Sequence, residues 1–321
     1  MTMRRRSKRE FKVVDMHTHP FGNLDVDLSK ALKTRRDAVL LRRTNVELFR
    51  RVWENCEDIT DLLIKDMDEN KVAKAVIQPA AGESPEVVAK AVKRHPDRLI
   101  GLFMINHQFT RQHDYRGRKP NEKPAKPNPK KFEEEVRHYI KDLGLRGLGE
   151  GVTYTLTQES SPNKMAEDMF PYFEILNEFK IPVLIATGWS QFGKPMYKGL
   201  PLFIDDLAER FTDMPFIITK MGRGYGYIYE MALAIAYKHL NVYLDTVHAP
   251  AEHIARAVRE VGADRVMFGT DWCLTWRQVE LSPTGNIYSN GFAEIDEAGL
   301  TDDEKEWVLG KTAASVFGLK L

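Results

Sequence analysis

The sequence predicts a (β/α)8 barrel. Two observations carry the prediction. Eight short apolar runs recur along a chain of 321 residues, and stretches of helical periodicity separate them. Strands alternating with helices in this way build a parallel sheet covered by helices. An open doubly wound sheet is the alternative. No Gly-rich phosphate loop follows the first strand, which counts against it.

The first strand is the apolar run Phe11 to Met16, and Pro20 and Gly22 terminate it. A charged insertion follows over about 21–60, and Asp61 to Asn70 has helical spacing. The second strand is Ala73 to Gln78. The next helix, to Arg94, starts on a good cap, Ser84 followed by Pro85. Leu99 to Ile105 is the third strand. Residues 111–130, rich in Lys, Arg, Asn and Pro, read as an exposed loop. Four strand predictions then follow helices: Leu145–Gly149 after Phe132–Leu143, Pro182–Thr187 after Phe170–Phe179, Phe216–Lys220 after Ile204–Phe211, and Val242–Thr246 after Tyr227–His239. Helix Glu252–Val261 leads to the eighth strand, Arg265–Asp271, and a third insertion lies near 272–293. The domain reading is a basic arm over 1–10 and one barrel over 11–321.

Composition excludes several classes. The hydrophobic fraction of 43% supports a sizeable core, and a formal net charge of +1 gives no argument for nucleic acid. The arm of Arg4, Arg5, Arg6, Lys8 and Arg9 reads as a solvated terminus. No apolar segment follows it as in a secretory signal, and none is long enough to span a bilayer. Two cysteines, Cys56 and Cys273, make no disulfide framework. The expected setting is cytoplasmic, with a small-molecule substrate and neither nucleic acid nor membrane as partner.

Chemistry in such barrels sits at the carboxyl ends of the strands. His17-Thr18-His19 lies directly behind the first apolar run, and residues two apart on a strand share a face, so both imidazoles can grip one metal ion. The other strand ends present Gln78, His107, Glu150, Thr187, Lys220, Asp245, His248 and Asp271. This set of N and O donors without thiolates suits zinc, manganese or iron, as one or two ions. Asp245 is expected to orient a histidine rather than bind metal itself. Lys220 and Arg223 are candidates to bind a substrate carboxylate, and Trp189 and Trp272 to wall the substrate.

Four segments, in order and at barrel spacing, resemble the amidohydrolase superfamily in its amidohydrolase-related (type 2) branch. Val13-Val14-Asp15-Met16-His17-Thr18-His19 is similar to the first-strand metal motif, and Asn241 to Thr246 to the seventh strand. Phe268-Gly269-Thr270-Asp271-Trp272 is similar to the eighth-strand motif, and Leu309 to Gly318 to the terminal helix. The resemblance implies that Asp271 is a metal ligand or the catalytic acid/base, and it makes a homodimer the expectation. Two positions depart from the pattern. The fifth strand carries Ala186, and the sixth Lys220, where the branch usually has a histidine. Glu150, flanked by Gly149 and Gly151, stands where binuclear relatives hold a bridging carboxylate, so a rebuilt shell of His17, His19, Glu150 and Asp271 with His107 or His248 is expected.

The expected function is metal-dependent hydrolysis. Water activated by the ion attacks the carbonyl of an amide, ester or lactone in a small carboxylated or aromatic substrate, with Asp271, Glu150 and Lys220 as the catalytic groups. The alternatives are a metal-dependent non-oxidative decarboxylase, a chemistry of the same branch, and a non-haem di-iron enzyme that uses oxygen.

Overall fold

A computed structural model describes residues 10–21, 58–79, 84–105, 128–152, 156, 161–188, 196–222, 226–272 and 287–321. The basic arm and most of the three insertions lie outside these residues, as do His107, Trp189 and Arg223.

Seven parallel strands are present among the described residues: β1 (Val13–Thr18), β2 (Val72–Ile77), β3 (Leu99–Gly101), β4 (Val183–Ala186), β5 (Phe216–Thr219), β6 (Val242–Asp245) and β7 (Val266–Met267). They form one sheet in the order β1-β2-β3 and a second in the order β4-β5-β6-β7. Leu148 joins the two, bridging Phe103 on one side and Val183 on the other. Thr18 pairs in parallel with Trp272 and closes the ring. The architecture is therefore the eight-stranded barrel, with β4 to β7 as the fifth to eighth strands.

The expected fourth strand, Leu145–Gly149, is reduced to the two bridges of Leu148. Its glycines explain why. A Cβ on Gly147 would sit 2.8 Å from the Pro182 carbonyl oxygen, and one on Gly149 would sit 2.4 Å from Gln78 Oε1. Close approach of neighbouring chains takes the place of a regular ladder there. The first strand also differs, starting at Val13 and running on through His17 and Thr18.

Two apolar layers hold the barrel. Val14, Met16, Val76, Ile100, Leu102, Leu184, Ile217 and Met267 form a compact inner cluster, against which Phe317 packs. The alternate strand residues, among them Ala75, Ile77, Val183, Ile185, Phe216, Ile218, Leu244 and Phe268, join the larger cluster with the outer helices. This alternation follows from the period of two along a strand. The cap read at Ser84 is present, its hydroxyl accepting the Glu86 N–H ahead of the helix Pro85–Arg94. The expected helix Phe170–Phe179 begins earlier, spanning Met165–Asn177 with Pro171 in its second turn. No described helix is long and apolar enough to cross a membrane.

Candidate metal centre

β1 carries an irregularity that sets up the site. Asp15 pairs with Ala75 and Thr18 with Ile77, so three steps on β1 oppose two on β2. Such a bulge resets the side-chain alternation. Met16 completes the inner apolar cluster, and His17 opens the polar layer above it. Asp15 fixes the bend, accepting the N–H groups of His17 and Thr270 and the Thr270 hydroxyl. Burial pushes its carboxyl up to about 6, against those hydrogen bonds.

Four side chains converge on one point. His17 Nε2 lies 3.2 Å from His19 Nε2, 3.6 Å from Glu150 Oε2 and 3.4 Å from Asp271 Oδ1. His19 Nε2 lies 3.4 Å from both Glu150 Oε1 and Asp271 Oδ1. Ligands placed tetrahedrally about 2.0–2.1 Å from one ion stand about 3.3–3.4 Å apart. The donor set, two imidazoles and two carboxylates, therefore fits a divalent transition ion in spacing as well as in chemistry.

The surrounding residues hold these groups in place. Asp245 Oδ2 bonds His17 Nδ1 at 2.8 Å, which aims Nε2 at the cluster. Its other oxygen accepts the N–H groups of Lys220 and Val247. Gln78 Oε1 accepts the Glu150 N–H at 2.9 Å, and its Nε2 lies 3.3 Å from His19 Nε2. Thr219 donates its hydroxyl to Glu150 Oε2. Gln78 and Thr219 were not assigned these roles from sequence. The position of Gln78 at a strand end was the available signal for the first.

Burial opposes ionisation of Glu150 and Asp271, yet Lys220 first, with help from the histidines, holds both carboxyls well below the usual range. Burial and Lys220 likewise oppose a proton on His17, while Glu150 and Asp245 favour it and carry the imidazole up to about 9. These shifts describe the centre without an ion, where protons and Lys220 balance the carboxylates.

The expected site residues fall into two groups. His17, His19, Glu150 and Asp271 are brought together. His248 stands outside the four, its Nε2 3.4 Å from Asp271 Oδ2. Lys220 is 1% exposed, and its Nζ lies 3.1 Å from Glu150 Oε2, 3.5 Å from Asp271 Oδ1 and 3.2 Å from His17 Nε2. An ammonium engaged with those three groups is not presented to a substrate carboxylate. Trp272 is also corrected: its side chain is buried in the layer beneath the helices, and its indole N–H donates to Asp66 at 2.8 Å. The bridge to Thr18 turns this side chain outward, away from any role as a substrate wall.

Known structures share the whole architecture. The 5-carboxyvanillate decarboxylase of Sphingomonas paucimobilis matches with a TM-score of 0.62 at 14% identity, over 97% of this chain and 100% of that one. A 5-carboxyvanillate decarboxylase of Novosphingobium aromaticivorans, solved with bound manganese and a nitrobenzoic acid, matches with 0.63 at 13% identity, over 96% and 97%. A probable 2-pyrone-4,6-dicarboxylic acid hydrolase of Acinetobacter baumannii, solved with citric acid, matches with 0.58 at 15% identity, over 96% and 100%. No curated protein matches the sequence. The sequence profile described as amidohydrolase matches residues 14–319, nearly the whole barrel. The chain belongs to the amidohydrolase family, a family of metal-dependent hydrolases and decarboxylases.

Proposed function

We propose that the protein is a hydrolase of small carbonyl substrates that works with a single divalent ion, zinc or manganese, held by His17, His19, Glu150 and Asp271. The observation that carries the reading is the convergence of those four donors, within 4.8 Å of one another, at the carboxyl ends of the strands. The ion supplies Lewis acidity and a water acidic enough to be a nucleophile near neutrality.

The chain's own residues supply the rest. Asp271 is held ionised by Lys220, so it starts as a proton acceptor. It takes the proton of the attacking water on a carboxylate oxygen and returns it to the leaving group. Oδ2 is the oxygen for this exchange, since Oδ1 faces the histidines and Oδ2 faces His248 Nε2. Glu150, fixed at its amide by Gln78 and at Oε2 by Thr219, keeps its place while Asp271 changes charge.

Decarboxylation is the second reading, favoured by the architecture shared with two 5-carboxyvanillate decarboxylases. It would use Asp271 to deliver a proton to carbon, whereas hydrolysis would use it first as a proton acceptor. Turnover of an ester, lactone and hydroxybenzoate panel by the zinc- and manganese-loaded protein separates them. Carbonyl hydrolysis without carbon dioxide release supports the proposal, and carbon dioxide from the hydroxybenzoates overturns it.

A further inference from the structure

Lys220 stands where the family pattern leads one to expect an imidazole ligand, and it is placed there by unusual backbone. Lys220 and Met221 have φ of 66° and 38°, in the left-handed region that side chains disfavour, and Gly222 follows at 79°. Tyr229 N would lie 2.6 Å from a Cβ on Gly222, so the turn is pressed against the following helix. The Lys220 N–H is tied to Asp245 at 2.6 Å. Strain of this kind persists where the surroundings over-determine it, commonly at functional sites.

The turn delivers a buried ammonium to the ligand set itself. Nζ lies within 3.5 Å of His17 Nε2, Asp271 Oδ1 and both Glu150 oxygens. Three of the four donors of the metal cluster are therefore also its neighbours. Around that ammonium stand the carboxylates of Glu150 and Asp271, with Asp245 behind His17.

We infer that Lys220 is the second cation of this centre: its ammonium takes the place of a second metal ion, restricts the site to one, and weakens the binding of that one. The inference rests on the metal-dependent reading above. A unit charge within about 4 Å of a divalent ion in a partly dry site changes affinity by well over tenfold.

The test is metal binding by the full-length chain, stripped and then titrated with Zn2+ and with Mn2+ against a chromophoric chelator. Bound metal is counted by elemental analysis. Wild type is expected to take one equivalent. Lys220→Met is expected to bind the first equivalent at least tenfold more tightly or to accept a second. Lys220→Arg, which keeps the charge, is expected to keep one equivalent at near wild-type affinity, with circular dichroism reporting the fold of each variant. Two equivalents lost together on His17→Ala overturn the inference on the wild-type protein alone, even if Lys220→Met fails to fold. One equivalent with equal affinity in wild type and Lys220→Met overturns the inference and leaves the metal-dependent reading standing. No binding in any variant overturns both.

Discussion

Asp245→Asn is the most informative change at the periphery of the centre. The substitution conserves shape, so its effect reads the hydrogen bonds alone. Asp245 is fully buried and accepts from three donors: His17 Nδ1 at 2.8 Å, the Lys220 N–H at 2.6 Å and the Val247 N–H at 3.1 Å. An asparagine has one oxygen and one NH2 group. Oriented toward the two backbone N–H groups, it presents a donor to His17 Nδ1, which forces the proton to Nε2 and blocks the atom needed for the ion. Oriented toward His17, it leaves two buried N–H groups facing a donor, at about 1–3 kcal/mol each. The expected result is a loss of about 1–3 kcal/mol in folding stability of the stripped protein. Metal affinity is expected to fall about 10–100-fold. Urea unfolding measures the first and chelator competition the second. Unchanged metal affinity in a folded variant refutes the reasoning.

Gly149→Ala places a Cβ 2.4 Å from Gln78 Oε1 and is expected to destabilise the protein by about 1–3 kcal/mol and to weaken metal binding by shifting Glu150, as unfolding and metal titration report. Trp272→Phe removes one hydrogen bond to Asp66 outside the centre, so a stability loss of about 1 kcal/mol with metal affinity retained is expected. Loss of metal from Trp272→Phe would place the indole in the site after all. The proton on His17 stabilises the stripped protein, because the folded value of about 9 exceeds the ordinary 6.5. That contribution is complete below pH 6.5 and is lost as pH rises through 9. The melting temperature of the stripped protein should therefore fall across this window, and less so in His17→Asn. A flat profile contradicts the assignment.

The barrel was legible because its signal is distributed. Apolar runs separated by helical stretches survive local errors such as the missing fourth ladder at Gly147 and Gly149. The convergence of His17, His19, Glu150 and Asp271 was legible for the same reason, since strand ends converge in this architecture wherever the intervening loops go. The details that depend on a one-residue shift were not. The bulge between Asp15 and Thr18 decides which β1 side chains face inward, and nothing in Asp15-Met16-His17-Thr18 announces it. Trp272 follows a site residue directly, and only the pairing of Thr18 with Trp272 shows that its side chain leaves the mouth. Lys220 reads as a candidate for a substrate carboxylate or for an ion pair with Glu150 or Asp245, and sequence gives no hint of the left-handed turn that brings its buried ammonium beside Glu150 and Asp271. Gln78 was visible at its strand end, but its clamp on Glu150 depends on a contact across the barrel rim.

Elemental analysis of the protein as purified, beside His17→Ala prepared in the same way, tests the central claim most directly. The account predicts about one equivalent of a divalent transition ion in the wild type and essentially none in the variant. Less than about half an equivalent in wild type after incubation with zinc or manganese, or an ion retained by His17→Ala, contradicts it.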